Sequence, residues 1–168
     1  MRKILISLIP SALVLLGVLY STQKFFREES QLTVIADPFS LITIDLDTLD
    51  FDSRRTKAPV IINFFDPSCD LCLTNINEIL KFSSQNYGYY VLFVSTDSLN
   101  AIENIFNKIK WGNFTSQQNV IFARIDPIDA IKLFGDLAAP QTVIFDEGLK
   151  FKKVKSGLVS FAWLSKVD

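Results

Sequence analysis

The stretch "PVIINFF", Pro59–Phe65, limits what this chain can become more than any other. An almost continuous β-branched and aromatic run of that length is the pattern of a strand covered on both faces. Beyond it the chain alternates regularly. From Cys69 to about Gln85, Leu73, Ile76, Ile79 and Leu80 recur at helical spacing, and "YYVLFVST", Tyr89–Thr96, reads as a second buried strand. "SLNAIENIFNKIK" then places Ser98 as a helix cap with Ile102, Ile105 and Ile109 on one face. "NVIFARID", Asn119–Asp126, is a third strand, and "PIDAIKLFG" begins with Pro at a first helical position and ends on Gly135. Strand and helix alternate in this way when parallel strands are joined by crossover helices.

The ends of this pattern differ from its middle. Leu32–Asp52 largely alternates apolar and polar residues, which predicts one or two half-buried edge strands, and "SRRTK", Ser53 to Lys57, reads as a loop. Near the C-terminus, "QTVIFDEGLKFKKVKSG" predicts two strands joined at Asp146-Glu147-Gly148, a hairpin with Gly at its turn. Lys150, Lys152, Lys153 and Lys155 on its second strand are most simply a solvated, protected edge. "LVSFAWLSKVD" closes the chain as a short amphipathic helix. One α/β sandwich with a mixed sheet is the economical fold, and fifteen Phe in 168 residues are ample for its core.

The first twenty residues belong to another environment. "MRK" precedes Ile4–Tyr20, an uncharged run that would reach about 26 Å as a helix, the short end of a bilayer span. A cleaved signal peptide shares the basic start and apolar run. Here the run is too long for the usual apolar region of about 7–15 residues, and Leu19 and Tyr20 stand where a cleavage site wants small residues. The expectation is therefore an uncleaved transmembrane signal-anchor at 1–20, a polar tether at 21–31 and one folded domain at 32–168. A basic start on a lone N-terminal helix favours a C-terminal domain outside the cytoplasmic membrane, on the periplasmic side, where disulfides persist. From Ser21 onward the chain carries 15 basic against 18 acidic residues, which is no electrostatic footprint for nucleic acid.

Both cysteines lie in "FFDPSCDLC", Phe64–Cys72. A buried strand that runs through a Pro-containing turn into a helix sets Cys69 at the helix N-terminus, where unpaired backbone N–H groups and the helix dipole stabilise a thiolate. Cys72 comes about one turn later on the same side. The pair can exchange between dithiol and disulfide with little movement of the chain. Asp70, beside the first cysteine, works against the thiolate. Histidine is absent, which excludes Ser-His-Asp and Cys-His catalysis and His-ligated metal sites. A structural zinc site would need acidic ligands or a second chain. A static staple gains little from so short a loop, and two inert buried thiols complete the alternatives.

"PVIINFFDPSCDLC" resembles the strand-and-turn signature of the thioredoxin superfamily, in particular its TlpA-like, membrane-tethered branch, related to the peroxiredoxin-type redoxins. Asn63 stands six residues before the first cysteine, as is typical of that branch. "LAAPQTVIFDEG" resembles the segment in which a cis-proline opens a strand facing the cysteines, and Pro140 is the matching position. The likeness spans roughly Leu32 to Asp168. It departs at Ser68, where an aromatic residue is usual, at Phe65, where a Trp is usual, and at Asp70-Leu71, which replaces a Pro-containing dipeptide. It departs also at Asn75, where many members carry Glu.

The resemblance implies a thioredoxin-like α/β sandwich with a central mixed sheet, preceded by one N-terminal transmembrane helix. It implies a thiol–disulfide oxidoreductase with no bound cofactor or metal. Cys69 would attack and form the mixed disulfide, and Cys72 would resolve it, giving a Cys69–Cys72 disulfide. Pro140 would present its neighbours' backbone to an extended substrate, with the Ala139–Pro140 bond cis and beside Cys69. Asn63 and Asp70 would tune the pair. Protein thiols and disulfides are the implied partners, apocytochrome c among them, with an upstream membrane redox donor. Two other functions share the fold: a peroxiredoxin-like thiol peroxidase, whose Pro-x-x-x-Thr-x-x-Cys setting is missing around Cys69, and a redox-inactive binding module. A copper chaperone of this fold would want a His.

Overall fold

The computed structural model describes residues 39–51, 58–109 and 119–166. The expected anchor, the tether and the loop Ser53–Lys57 lie outside them. Among the described residues, no helix is long and apolar enough to cross a membrane.

The double burial expected of Pro59–Phe65 is realised in β3 (Val60–Phe64), every residue of which is buried. β3 sits inside a seven-stranded sheet of order β2-β1-β5-β4-β3-β6-β7. Its flanking strands are β4 (Tyr90–Ser95), parallel to it, and β6 (Gln141–Phe145), antiparallel to it. β5 (Val120–Ile125) extends the parallel part beyond β4. The alternating segment before Asp52 forms β1 (Phe39–Thr43) and β2 (Thr48–Phe51), an antiparallel pair with β2 at one edge. β7 (Phe151–Ser156) pairs with β6 and forms the other edge. The sheet is mixed, as the order of sequence patterns predicts.

Four helices cover it. α1 (Asp70–Gln85), α2 (Leu99–Lys108) and α4 (Phe161–Leu164) share one face. There Ile76, Ile79, Leu80, Ile102, Ile105 and Leu164 pack on Ile61, Phe65, Val91, Phe93, Phe122 and Ile144. Because strand side chains alternate, Val60, Ile62 and Phe64 point to the opposite face. α3 (Pro127–Phe134) lies there, with the rings of Phe64 and Phe134 5.3 Å apart. Caps fix the helix starts: Ser98 Oγ accepts from Ala101 N, Asp126 Oδ1 from Ile128 N, and Ser160 Oγ from Trp163 N. Gly135 ends α3 at φ 80°, a conformation that only glycine adopts without steric cost.

One local expectation gains a detail and another changes. In the β6–β7 hairpin Gly148 lies in the turn, as expected, and the residue after it, Leu149, takes the left-handed conformation at φ 55°. Asp146 Oδ1 holds the turn by accepting from Gly148 N and Lys150 N, while the Leu149 side chain is buried. Lys153 is not a solvated edge lysine. Its Nζ hydrogen-bonds the carbonyls of Trp163 and Lys166 and lies 4.5 Å from the Trp163 ring centroid, so it ties α4 to β7.

Candidate functional site

The cysteines stand where β3 hands over to α1. Phe65 N still bonds Val94 O at 3.0 Å, and then the chain turns. Asp66 Oδ1 accepts from both Ser68 N and Ser68 Oγ at 2.7 Å, and Cys69 N closes the turn onto Asp66 O at 3.1 Å. An aspartate that bonds its own backbone two residues on, with proline next to it, is ordinary turn chemistry. Here it delivers Cys69 to the N-cap of α1. Cys69 Sγ accepts the backbone N–H of Cys72 at 3.2 Å, as a capping serine oxygen would.

The two thiols differ in their surroundings. Both are free in this structure; Cys69 is half-buried, whereas Cys72 is 1% exposed. Burial pushes the Cys72 thiol up to about 12 from the ordinary 9.0, a hydrogen bond with Cys69 adds to this, and a backbone hydrogen bond from Asp66 pulls the other way. Cys72 is therefore held protonated at neutral pH. Asp70 opens α1 and is exposed.

Pro140 lies at the same end of the sheet. The antiparallel register sets Gln141 opposite Phe64, so the residue before it faces the strand end that leads to Cys69. The Ala139–Pro140 peptide bond is cis, matching the expectation from the sequence. Pro140 is buried and its carbonyl accepts from Gly157 N at 2.7 Å. Ala139 and Cys69 both pack, partly exposed, against the same apolar cluster. Leu71 and Leu137 are exposed on the flanking segments.

One turn along α1 from Cys72, the otherwise apolar core also buries polar side chains. Asn63 is fully buried; its Nδ2 donates to Gln141 O at 3.1 Å and to Thr142 Oγ1 at 3.0 Å. Asn75, one turn past Cys72 on α1, donates from Nδ2 to the same Thr142 Oγ1 at 3.2 Å and accepts Val159 N on Oδ1 at 2.7 Å. Asn63 Oδ1 and Gln141 Oε1 are buried with no hydrogen-bond partner among the described residues. Of these side chains, the sequence pattern singles out Asn63 and marks Asn75 only as a departure. It does not point to Thr142 or Gln141. The available signal was their polarity inside "QTVIF", a strand with no exposed face. Among the described residues, no group of three His, Cys, Asp or Glu side chains is placed to hold a metal ion.

This order of strands and helices, with paired cysteines at the first turn of the helix after a central strand and a cis-proline opening the adjacent antiparallel strand, is a thioredoxin-like fold. Solved structures agree. The pneumococcal exposed lipoprotein thioredoxin Etrx1 from Streptococcus pneumoniae superposes with a TM-score of 0.63 at 17% identity, covering 77% of this chain and 96% of that one. A putative thiol:disulfide interchange protein DsbE from Chlorobium tepidum gives 0.62 at 16% identity over 77% and 88% of the two chains. StoA from Bacillus subtilis gives 0.60 at 13% identity over 80% and 98%. At such identities the likeness is one of fold. No protein-family model matches the sequence, and no curated protein matches it.

Proposed function

We propose that this protein is a thiol–disulfide oxidoreductase that exchanges disulfides with protein substrates through Cys69 and Cys72. The observation that carries the reading is the unequal pair: Cys69 at the helix N-cap and partly exposed, Cys72 buried one turn behind it. Cys69, as thiolate, attacks a substrate disulfide. One substrate sulfur leaves as a thiol and the other stays bound to Cys69. Cys72 then gives up its proton and attacks Cys69 Sγ. The second substrate thiol is released and the pair is left oxidised as a Cys69–Cys72 disulfide. An upstream donor returns it to the dithiol. Pro140 offers no N–H beside the site, so a substrate strand pairs with the backbone of its neighbours without competition from a donor there.

The anchor at 1–20 and tether at 21–31 hold the domain at the membrane, on the extracytoplasmic side. The supports are the uncharged run Ile4–Tyr20 and the need for a compartment in which disulfides persist. Apocytochrome c cysteines are one substrate class consistent with this placement.

Insulin reduction by the full-length protein, with and without Cys69→Ser, tests the activity. Turnover is expected to vanish in the variant; turnover that does not depend on Cys69 overturns the reading. Cys72→Ser is expected to trap mixed disulfides, and the attached proteins identify the substrates.

A further inference from the structure

We propose that resolution by Cys72 is the slow step of this site, because the groups that line its buried side cannot take its proton, and that Asn75 is the positioning residue that keeps this lining neutral. The inference rests on the thiol–disulfide reading above. Under it, the covalent complex between Cys69 and a substrate protein is the species that persists at neutral pH.

The geometry is specific. Cys72 and Asn75 are three residues apart on α1, which brings their side chains to about 5–6 Å at Cβ, and both are buried. Thr142 Oγ1 receives Asn75 from the helix and Asn63 from β3, and Val159 N fills Asn75 Oδ1. On this side the polar groups are thus two amides and a hydroxyl. Amides and hydroxyls accept hydrogen bonds but do not accept a proton at neutral pH. The charged and titratable groups on the surrounding elements lie elsewhere. Asp66 acts on Cys72 from the turn, Asp70 is exposed at the start of α1, Glu78 is six residues further along the helix, and Lys153 is bound to Trp163 and Lys166 carbonyls. Asp66 Oδ1 accepts from Ser68 N and Oγ, and the charge of Asp66 opposes ionisation of Cys72.

Magnitudes decide the direction. Moving a thiol from 9.0 to about 12 cuts its thiolate fraction at pH 7 by about 1,000-fold. The more basic thiolate is a better nucleophile by about 20-fold over the same range, so a net loss of about 50-fold remains. Burial is the largest cause of the shift and persists when Cys69 is tied up in a mixed disulfide, whereas the contributions of the Cys69 thiol do not, so about 50-fold is an upper bound. The balanced step is Cys72–SH plus Cys69–S–S–R giving the Cys69–Cys72 disulfide plus R–SH. The proton leaves toward the turn, to hydroxide, buffer or the departing sulfur.

Dithionitrobenzoate separates the steps in the reduced full-length protein. Attack by Cys69 releases one coloured thionitrobenzoate, and resolution by Cys72 releases the second in a first-order phase independent of reagent concentration. The second phase is expected to be resolved from the first at pH 7 and to quicken about tenfold per pH unit up to pH 10. Asn75→Asp is expected to speed the second phase at pH 7 at least tenfold and to flatten its pH profile, because the carboxylate both accepts Val159 N and takes the proton. Asn75→Gln is expected to keep the steep profile. A wild-type second phase that is flat between pH 7 and 10 overturns the inference, as does a folded Asp variant with the wild-type profile. If the Asp variant does not fold, the wild-type profile decides alone. Absence of the first release removes the oxidoreductase reading, and this inference with it.

Discussion

On one side of β3, Val60, Ile62 and Phe64 look across to Val143, Phe145 and the ring of Phe134, and Gln141 is the polar side chain nearby. On the other side Asn63 interrupts Ile61 and Phe65 and joins Thr142 and Asn75 under the cysteines. Both faces are closed to solvent, yet only the second buries a cluster of amides. A buried polar group costs stability unless it is bonded, and among the described residues each face leaves one acceptor unbonded, Asn63 Oδ1 on this one and Gln141 Oε1 on the other. The apolar face holds the sheet together. The polar face ties three chain segments to the helix that carries the thiols, and accepts a stability cost to do so.

Four measurements bear on that contrast. Ile62→Ala, on the apolar face and fully buried, is expected to cost about 3 kcal/mol in urea unfolding, with the pH profile of the second thionitrobenzoate release unchanged. A changed profile would mean that the two faces are not separable. Asn63→Leu removes two donated hydrogen bonds but also the bare oxygen, so about 1 kcal/mol is expected. A cost equal to that of Ile62→Ala would make the polar face as structural as the apolar one.

Alkaline pH sharpens the comparison further. The folded-state pKa of Cys72 is raised from 9.0 to about 12, so below pH 9 the thiol is neutral whether folded or unfolded. Above pH 9 the unfolded chain releases the proton first, and stability falls as pH climbs toward 12. The reduced protein is expected to lose about 2 kcal/mol by pH 10.5 relative to the Cys69–Cys72 oxidised form, which has no such proton. Parallel unfolding curves of the two forms at pH 8 and 10.5 test this; equal losses would contradict it. The smallest effect belongs to Asp146, in the β6–β7 turn. Backbone hydrogen bonds from Lys150 and Gly148 hold its carboxyl below the usual range, so its contribution is present above about pH 4 and lost as pH falls through the lower folded value. Asp146→Asn is expected to lower stability slightly at pH 7 and by less as pH falls below about 4, measured by the same method.

The fold was readable wherever burial leaves a periodic trace. β3 to β5 appear as apolar runs, α1 to α3 as 3.6-residue stripes, and Ser98, Pro127 and Gly135 mark helix ends by known capping preferences. The cysteines were readable from their spacing at a strand-to-helix turn, and Pro140 from the resemblance that "LAAPQTVIFDEG" carries. Thr142 was not, since its role comes from cross-strand register with Asn63 and contact with a helix 67 residues earlier. A long-range hydrogen bond leaves no mark in local spacing. The left-handed conformation of Leu149, whose side chain is buried, likewise has no mark in the local sequence.

The bond from Val159 N to Asn75 Oδ1 also has a meaning for inheritance. A buried backbone N–H demands an acceptor, so lineages that lose one at position 75 should be purged for instability before chemistry is ever tested. Asparagine and aspartate both satisfy that demand, and their codons differ by a single base. The amide and the carboxylate are thus one base apart, although only the amide also donates to Thr142 Oγ1. Under the proposed function, one mutational step would change how long the protein keeps its covalent partners while the acceptor for Val159 N is retained.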